Sequence, residues 1–308
     1  MTDDERGVID AQGMLDLSHL TSPDQLAAIT RISRVGVVVV PESLAGAYAA
    51  IPAEDVGSTV FLPDGVKPRV HVGPLVVGGD GIGSPDEILI VVGVLVVIGA
   101  VTGDLPQRIS VVGSVFAPRG SEAALGRVLG GGVGTVSYYR HQEGIRVKTL
   151  SGQIQLSGSS LANLTGEPTD ILVAAGQLII TGEIGDVGYD QILIAGQLIA
   201  PAAGQAQLEA RMDAQGQVVW YRSADPRVFL EDVELGPGYF RLLDHQISII
   251  AFGAVTISAG VTAELLREKV ADVVLFDDVV APAEVVPALQ VLTTIAMGQI
   301  RVADGPRR

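Results

Sequence analysis

Gln191-Ile192-Leu193-Ile194-Ala195-Gly196-Gln197-Leu198-Ile199-Ala200-Pro201 decides the fold, because the chain has spelled nearly the same phrase twenty residues earlier, as Ile171-Leu172-Val173-Ala174-Ala175-Gly176-Gln177-Leu178-Ile179-Ile180. Taking the glycine as anchor, the phrase recurs at Gly36, Ser58, Gly73, Gly93, Gly113, Gly134, Gly152, Gly176, Gly196, Gly216, Glu231, Gly253, Asp277 and Gly298. Those 262 residues in thirteen steps give about 20 per step, a period that marks a repeat architecture. Two residues past the anchor every repeat is apolar, from Val38, Val60 and Leu75 to Val279 and Ile300. Four past it stand Val40, Leu62, Val77, Val97, Ala117, Tyr138 and their successors, again all apolar or aromatic. A spacing of two puts both columns on one face of a strand. That face is the expected core.

A second short strand precedes each anchor, as in Ile88-Leu89-Ile90 and Ile109-Ser110-Val111. The glycine is therefore expected at a corner between two strands, where a bend or a neighbouring backbone leaves no room for a side chain. Pro41, Pro63, Pro118, Pro201 and Pro282 follow at plus five and end the second strand, since proline cannot donate to the ladder. Return segments with helical pattern lie near the ends: Ser22 to Ile29, with Ser22 as N-cap and Pro23 in the first turn, then Glu42 to Ile51, Ser121 to Leu129 with Ser121 capping, Thr262 to Val270, and Ala283 to Leu292. From Gly152 to Gly216 the coils read as almost wholly extended.

The expected fold is mainly β. It is a single parallel β-solenoid of about fourteen coils, with short helical returns near both ends and, at ~4.8 Å per coil, a length of roughly 65 Å. One continuous solenoid spans 1–308, with residues 1–20 as an N-terminal cap, 21–302 as coils and 303–308 as a short tail. The middle coils resemble the parallel β-solenoids of bacterial proteins such as bactofilins. The spacing Leu26-x-x-Ile29-x-x-Ile32-x-x-Val35 near the start resembles leucine-rich repeats, without their asparagine position. The resemblance is one of architecture and implies no particular family.

Composition agrees with such a fold. Apolar residues make up 48% and aromatics only 4%, with 38 glycines, the balance of an interior filled by small branched side chains between frequent turns. The net charge of −15 argues against nucleic acid or an anionic membrane as partner. The charge is uneven: residues 1–107 sum to −9, 149–308 to −10, and the belt 108–148 to +4. No cysteine is present, which leaves no disulfide framework and no thiolate metal site. The acidic start, Met1 to Arg6, does not read as a signal peptide, and the longest charge-free apolar run, Ile88 to Val101, is too short to span a bilayer. A cytoplasmic setting is expected, and arginine outnumbering lysine 17 to 3 fits a GC-rich bacterial genome.

Two outward columns stand out. At plus one, Gln153, Gln177, Gln197 and Gln217 occupy four consecutive coils, and stacked side-chain amides form a hydrogen-bonded ladder. At plus three, Val39, Phe61, Val76, Val96, Phe116, Ile179, Ile199 and Val219 are apolar where water is expected. A stripe that long exceeds the usual patch on a soluble monomer. These residues, together with Ile300 in the last strand, are read as an interface. The final edge, Gln299-Ile300-Arg301-Val302, offers unpaired N–H and C=O groups to another strand, although Arg301, Pro306, Arg307 and Arg308 discourage pairing.

Chemistry-bearing motifs are sparse. His19, His71, His141 and His245 stand apart from one another at no metal-ligand spacing. Tyr138-Tyr139-Arg140-His141-Gln142-Glu143 is the densest polar-aromatic cluster. Gly130 to Thr135 resembles a phosphate cradle without its lysine, and Gly78 to Gly83 resembles a single calcium-binding nonapeptide. No catalytic residue, cofactor or metal is expected. The sequence points to a non-enzymatic scaffold that binds itself as a dimer or higher assembly, possible protein partners aside, with no nucleic acid and no membrane insertion. A C-terminal-to-C-terminal dimer is the economical form. Two other classes stay open: an acidic solenoid that inhibits a nucleic-acid-binding protein by DNA mimicry, and a carbohydrate-active β-helix enzyme. Far-UV circular dichroism is expected to show a strand-dominated spectrum; a helix-dominated one would overturn the fold reading.

Overall fold

The computed structural model describes residues 7–130, 134–142 and 144–303. It is mainly β with parallel pairing throughout, but the coils do not form one stack. They separate into four short stacks of three, four, four and four levels. The chain divides into two compact units, Met1–Ile145 and Arg146–Arg308. The first unit holds stack one, with β1 (Val8–Asp16), β2 (Arg31–Pro41) and β3 (Ala53–Leu62), and stack two, with β4 (Arg69–Gly78), β5 (Ile88–Ile98), β6 (Arg108–Pro118) and β7 (Thr135–Tyr139). The second unit holds stack three, with β8 (Val147–Ser157), β9 (Ile171–Thr181), β10 (Gln191–Pro201) and β11 (Met212–Tyr221).

Stack four also belongs to the second unit, and each of its levels is split into two strands. One sheet contains β12 (Pro226–Phe229), β14 (Ile247–Ala251), β16 (Val270–Leu275) and β18 (Thr293–Ala296). The other contains β13 (Val233–Leu235), β15 (Val255–Ile257), β17 (Val279–Ala281) and β19 (Ile300–Val302). The segment expected to cap the molecule thus runs as a strand, β1, in the first level of stack one. Arg301 and Val302 are described, whereas Pro306, Arg307 and Arg308 lie outside the described residues.

The anchor glycines explain why the strands stack in register. In stacks two and three all but Gly134, which precedes the five-residue β7, do not separate two strands, as the sequence suggested; they sit inside one strand of ten or eleven residues. Gly73, Gly93 and Gly113 pair in register, as do Gly152, Gly176, Gly196 and Gly216. All seven have φ between +90° and +146°, which side chains rarely tolerate. A β-carbon on Gly196 would lie 2.1 Å from the Gly176 carbonyl oxygen, and one on Gly216 would lie 1.8 Å from that of Gly196. Each glycine bends its strand and lets the next backbone close on it. In stack four, where no anchor has positive φ, each level instead has a true corner between two strands.

In stack one the column is Gly13, Gly36 and Gly57, one residue away from the Ser58 anchor. Helical returns are α1 (Pro23–Leu26), α2 (Ala45–Tyr48), α3 (Glu122–Leu125), α4 (Gln205–Glu209), α5 (Pro237–Arg241), α6 (Ala263–Lys269) and α7 (Val286–Leu292). α4 lies among the coils that looked wholly extended. Thr262 caps α6 by accepting the Leu265 N–H at 3.2 Å, whereas the Ser121 hydroxyl turns back to donate to the Pro118 carbonyl at 2.6 Å instead of capping α3.

Each stack has an apolar interior, and each unit has a second apolar layer between its sheets. In the first unit Val37, Val39, Val60 and Leu62 of stack one meet Ile88 and Ile90 of stack two, with Val70, Val92 and Val112 at the rim. In the second unit Ile179, Ile199, Val219 and Tyr221 of stack three meet Ile250 and Val274 of stack four. At ~1.5–3 kcal/mol per buried aliphatic side chain, such a layer outweighs the few backbone bonds lost by ending a stack. We expect Gly196→Ala to lower the unfolding free energy by at least about 3 kcal/mol. Gly185→Ala, at an exposed position where a β-carbon meets nothing within 4 Å, should cost under about 1 kcal/mol. Urea titration of both variants decides.

Candidate functional site

The apolar column read as an interface is largely covered by the chain itself. Val39, Val96, Phe116, Ile179, Ile199 and Val219 are all buried. For Val39, Ile179, Ile199 and Val219 the cover is the neighbouring sheet of the same unit. These six therefore cannot serve as a docking stripe. Phe61 and Val76 keep 36% and 38% of their surface exposed. Phe61 does so from the other face: the shifted register of stack one pairs it with Val40, and its ring meets Tyr48 edge-on at 6.3 Å. Val60 and Leu62, expected inside that coil, face the adjoining sheet instead.

The glutamine column stays at the surface. Gln153, Gln177, Gln197 and Gln217 stand opposite one another on β8 to β11. Their amides bond in series: Gln153 donates to Gln177 at 2.5 Å, Gln177 to Gln197 at 2.5 Å, and Gln197 to Gln217 at 2.7 Å. Every internal amide gives one bond and takes one, so the direction of donation is the same along the whole row.

Titratable groups elsewhere serve the fold. Asp272 and Ser248 are fully buried. The Asp272 carboxylate accepts the Arg222 N–H at 3.1 and 3.2 Å and the Ser248 hydroxyl, whose oxygen accepts the Ser223 N–H at 2.8 Å. Asp170 accepts from the Glu167 N–H at 3.0 Å, from Asn163 at 3.2 Å and from Arg146 at 3.3 and 3.4 Å. Burial pushes the Asp170 carboxyl up, but these bonds outweigh it and hold it below the usual range. His245 meets Asp225 at 2.9 Å, which also takes Arg227 at 2.9 Å. His71 contacts its own Pro74 carbonyl at 3.1 Å. Among the described residues no group of three or more His, Asp and Glu is placed to hold a metal ion.

The other motifs resolve into turns and packing. Gly79 lies where a β-carbon would sit 2.1 Å from the Ala100 oxygen, and Gly81 N–H bonds the Gly78 carbonyl at 3.1 Å. The Gly78–Gly83 run is accounted for by that turn. Gly131, Gly132 and Val133 of the glycine-rich run, and Glu143 of the polar-aromatic cluster, lie outside the described residues. Tyr138 is half-buried against the interior of stack two. A cleft of about 630 Å³ in the first unit is lined by Asp16, His19, Asp64 and Lys67 among others. Its two carboxylates are engaged by local backbone, Asp16 by the Ser18 N–H at 2.9 Å and Asp64 by the Ser43 N–H at 3.2 Å. No helix among the described residues is long and apolar enough to cross a membrane.

Two tyrosines that the periodicity did not single out each reach across one intervening level, from β7 to β5 and from β11 to β9. Tyr139 opposes Pro118 and donates to the Val97 carbonyl at 2.7 Å; Tyr221 opposes Pro201 and donates to the Ile180 carbonyl at 2.8 Å. Both rings are buried. Burial pushes the Tyr139 phenol up to about 12 and raises that of Tyr221 as well. The sequence signal was present in the recurrence of Tyr about twenty residues after Pro118 and Pro201.

A raised phenol favours the neutral form in the folded state, so its stabilisation is intact below the ordinary value of 10.0 and is lost as pH climbs through about 12. Absorbance titration at ~295 nm should show these two phenols ionising last, together with unfolding. Tyr221→Phe should cost about 1 kcal/mol in urea and remove one late-titrating group. No family model, curated protein or solved structure matches this chain, so what the arrangement can do is argued from its geometry alone.

Proposed function

We propose that the protein is a non-catalytic structural element, a scaffold that assembles with copies of itself through the open ends of its coil stacks. The observation that carries this reading is the last level of stack four. β18 and β19 are the outermost strands of their sheets, and around them Val291, Met297 and Val302 are 78%, 59% and 54% exposed. In β19 the Gln299 carbonyl accepts from Val279 and the Ala303 N–H donates to Ala281, both at 2.8 Å. By the alternation of a parallel ladder, the N–H and C=O of Ile300 and Val302 then point away from the sheet. Such an edge is a template for another strand. A second copy, related by a two-fold axis, would present the same edge antiparallel to it.

Arg301 moderates this edge without closing it, because its guanidinium is held by Asp278 at 3.0 Å. The setting in this reading is the cytoplasm, and the fold draws nothing from disulfides, since the chain has no cysteine. Size-exclusion chromatography with light scattering, followed by negative-stain microscopy, tests the proposal. The parent protein should show species heavier than its 31.9 kDa chain as concentration rises. Ile300→Pro removes one outward N–H while sparing the internal ladder, and should shift the population toward the monomer. A strict monomer at every concentration would overturn the scaffold reading.

A further inference from the structure

Stack three carries a second edge, and there the two ends of one stack complement each other. Gln153, on the outer strand β8, donates into the ladder, and its own carbonyl oxygen takes no bond among the described residues. Gln217, on the outer strand β11, accepts from Gln197, and its amide N–H groups donate to nothing described. Whichever way the amides are oriented, a row in which each member gives one bond and takes one ends in a spare acceptor on one side and a spare donor on the other.

The same two strands leave the stack's core unfinished in matching register. Leu150, Ile154 and Leu156 on β8 are half-buried, as are Ala214, Val218 and Trp220 on β11. Along the columns Leu150 stands below Ala174, Ile194 and Ala214, and Ile154 below Leu178, Leu198 and Val218. An independent observation points the same way. Gln215, also on β11, has both side-chain amide atoms buried with no hydrogen-bond partner, a state that costs stability until a partner is supplied. Its column runs Ser151, Ala175, Ala195, Gln215. A further level in the same register would therefore place a serine hydroxyl beside that amide.

We infer that β11 of one chain seats on β8 of a second copy, so that stack three continues from molecule to molecule as a parallel, in-register solenoid. Gln217 of the first copy then donates to Gln153 of the second. Ser151 of the second meets Gln215 of the first, and Trp220 is covered by Leu156 of the incoming copy. The contact joins two different surfaces of the same chain. It is therefore heterologous and open-ended, with a rise of about 19 Å for four levels at ~4.8 Å each. This inference rests on the scaffold reading and replaces an end-to-end dimer with a polar filament.

The absence of cysteine makes the contact directly testable in the full chain. Adjacent in-register strands bring Cα atoms to ~4.8 Å, within disulfide reach. Chains carrying only Gln217→Cys are mixed with chains carrying only Gln153→Cys and oxidised. A covalent dimer in the mixture and none in either variant alone is the expected result. Gln217→Glu keeps the oxygen that accepts from Gln197 but removes the outward donor, and should weaken assembly roughly tenfold or more. Emission of the lone tryptophan, Trp220, should shift to the blue as the parent assembles. A disulfide formed by either variant alone would show a symmetric contact and overturn the inference. So would light scattering that shows assembly without any mixed disulfide; in that case the scaffold reading stands and the β18–β19 edge carries it. If neither assembly nor disulfide is seen, both readings fall.

Discussion

Everything in this architecture depends on how closely one strand can lie on the next at the glycine column. In stacks two and three the missing β-carbon lets a strand turn at positive φ while the following level's backbone closes to within contact of its carbonyl. Any side chain there would force the levels apart and cost the register of some ten residue pairs in one strand contact. The bend gives each long strand two halves that face different neighbours. In stack four, where the anchors are Glu231, Gly253, Asp277 and Gly298 and none has positive φ, a corner splits each level into separate strands.

That division explains the apolar character of both faces. One face of each strand fills the coil, and in strands such as β2, β5, β9 and β10 the other supplies the layer between sheets of a unit. Strands buried on both sides read as near-continuous Val, Ile and Leu, which is what Ile88–Ile98 and Ile171–Thr181 show. Where the second face meets water it turns polar, as in Glu234, Thr256 and Arg301 of the β13–β19 sheet, which have β13, β15 and β19 positions equivalent to the buried Ile179 and Ile199.

Polar groups divide by the same logic. Those inside, such as Asp272, Ser248 and Asp170, satisfy backbone donors where the chain passes from one segment to the next, so that among the described residues no buried carboxylate is left without partners. The glutamine row differs because it is periodic. Its members satisfy one another along the axis, and only its two ends are left incomplete. A finite row of identical donors and acceptors has no internal way to close.

The sequence by itself determined what repeats: the strand with its glycine, the paired apolar columns, the prolines that end strands, and the spacing that stands four glutamines in line. These are local or strictly periodic features, and every level carries the same demand. It also held a signal of where the stacks break. Successive glycine anchors within a stack are 20 to 24 residues apart, whereas Gly57 to Gly73, Gly134 to Gly152, and Gly216 to Glu231 are 16, 18 and 15. An average over thirteen steps hides those short ones. With fewer residues the chain does not complete a return and opens a new stack instead. Only the tertiary structure decided which apolar face meets water. Val39 and Ile179 carry the same kind of side chain whether a sheet lies over them or not. Burial is a property of what packs on a surface, and for these strands that partner is another stack many residues away in the chain.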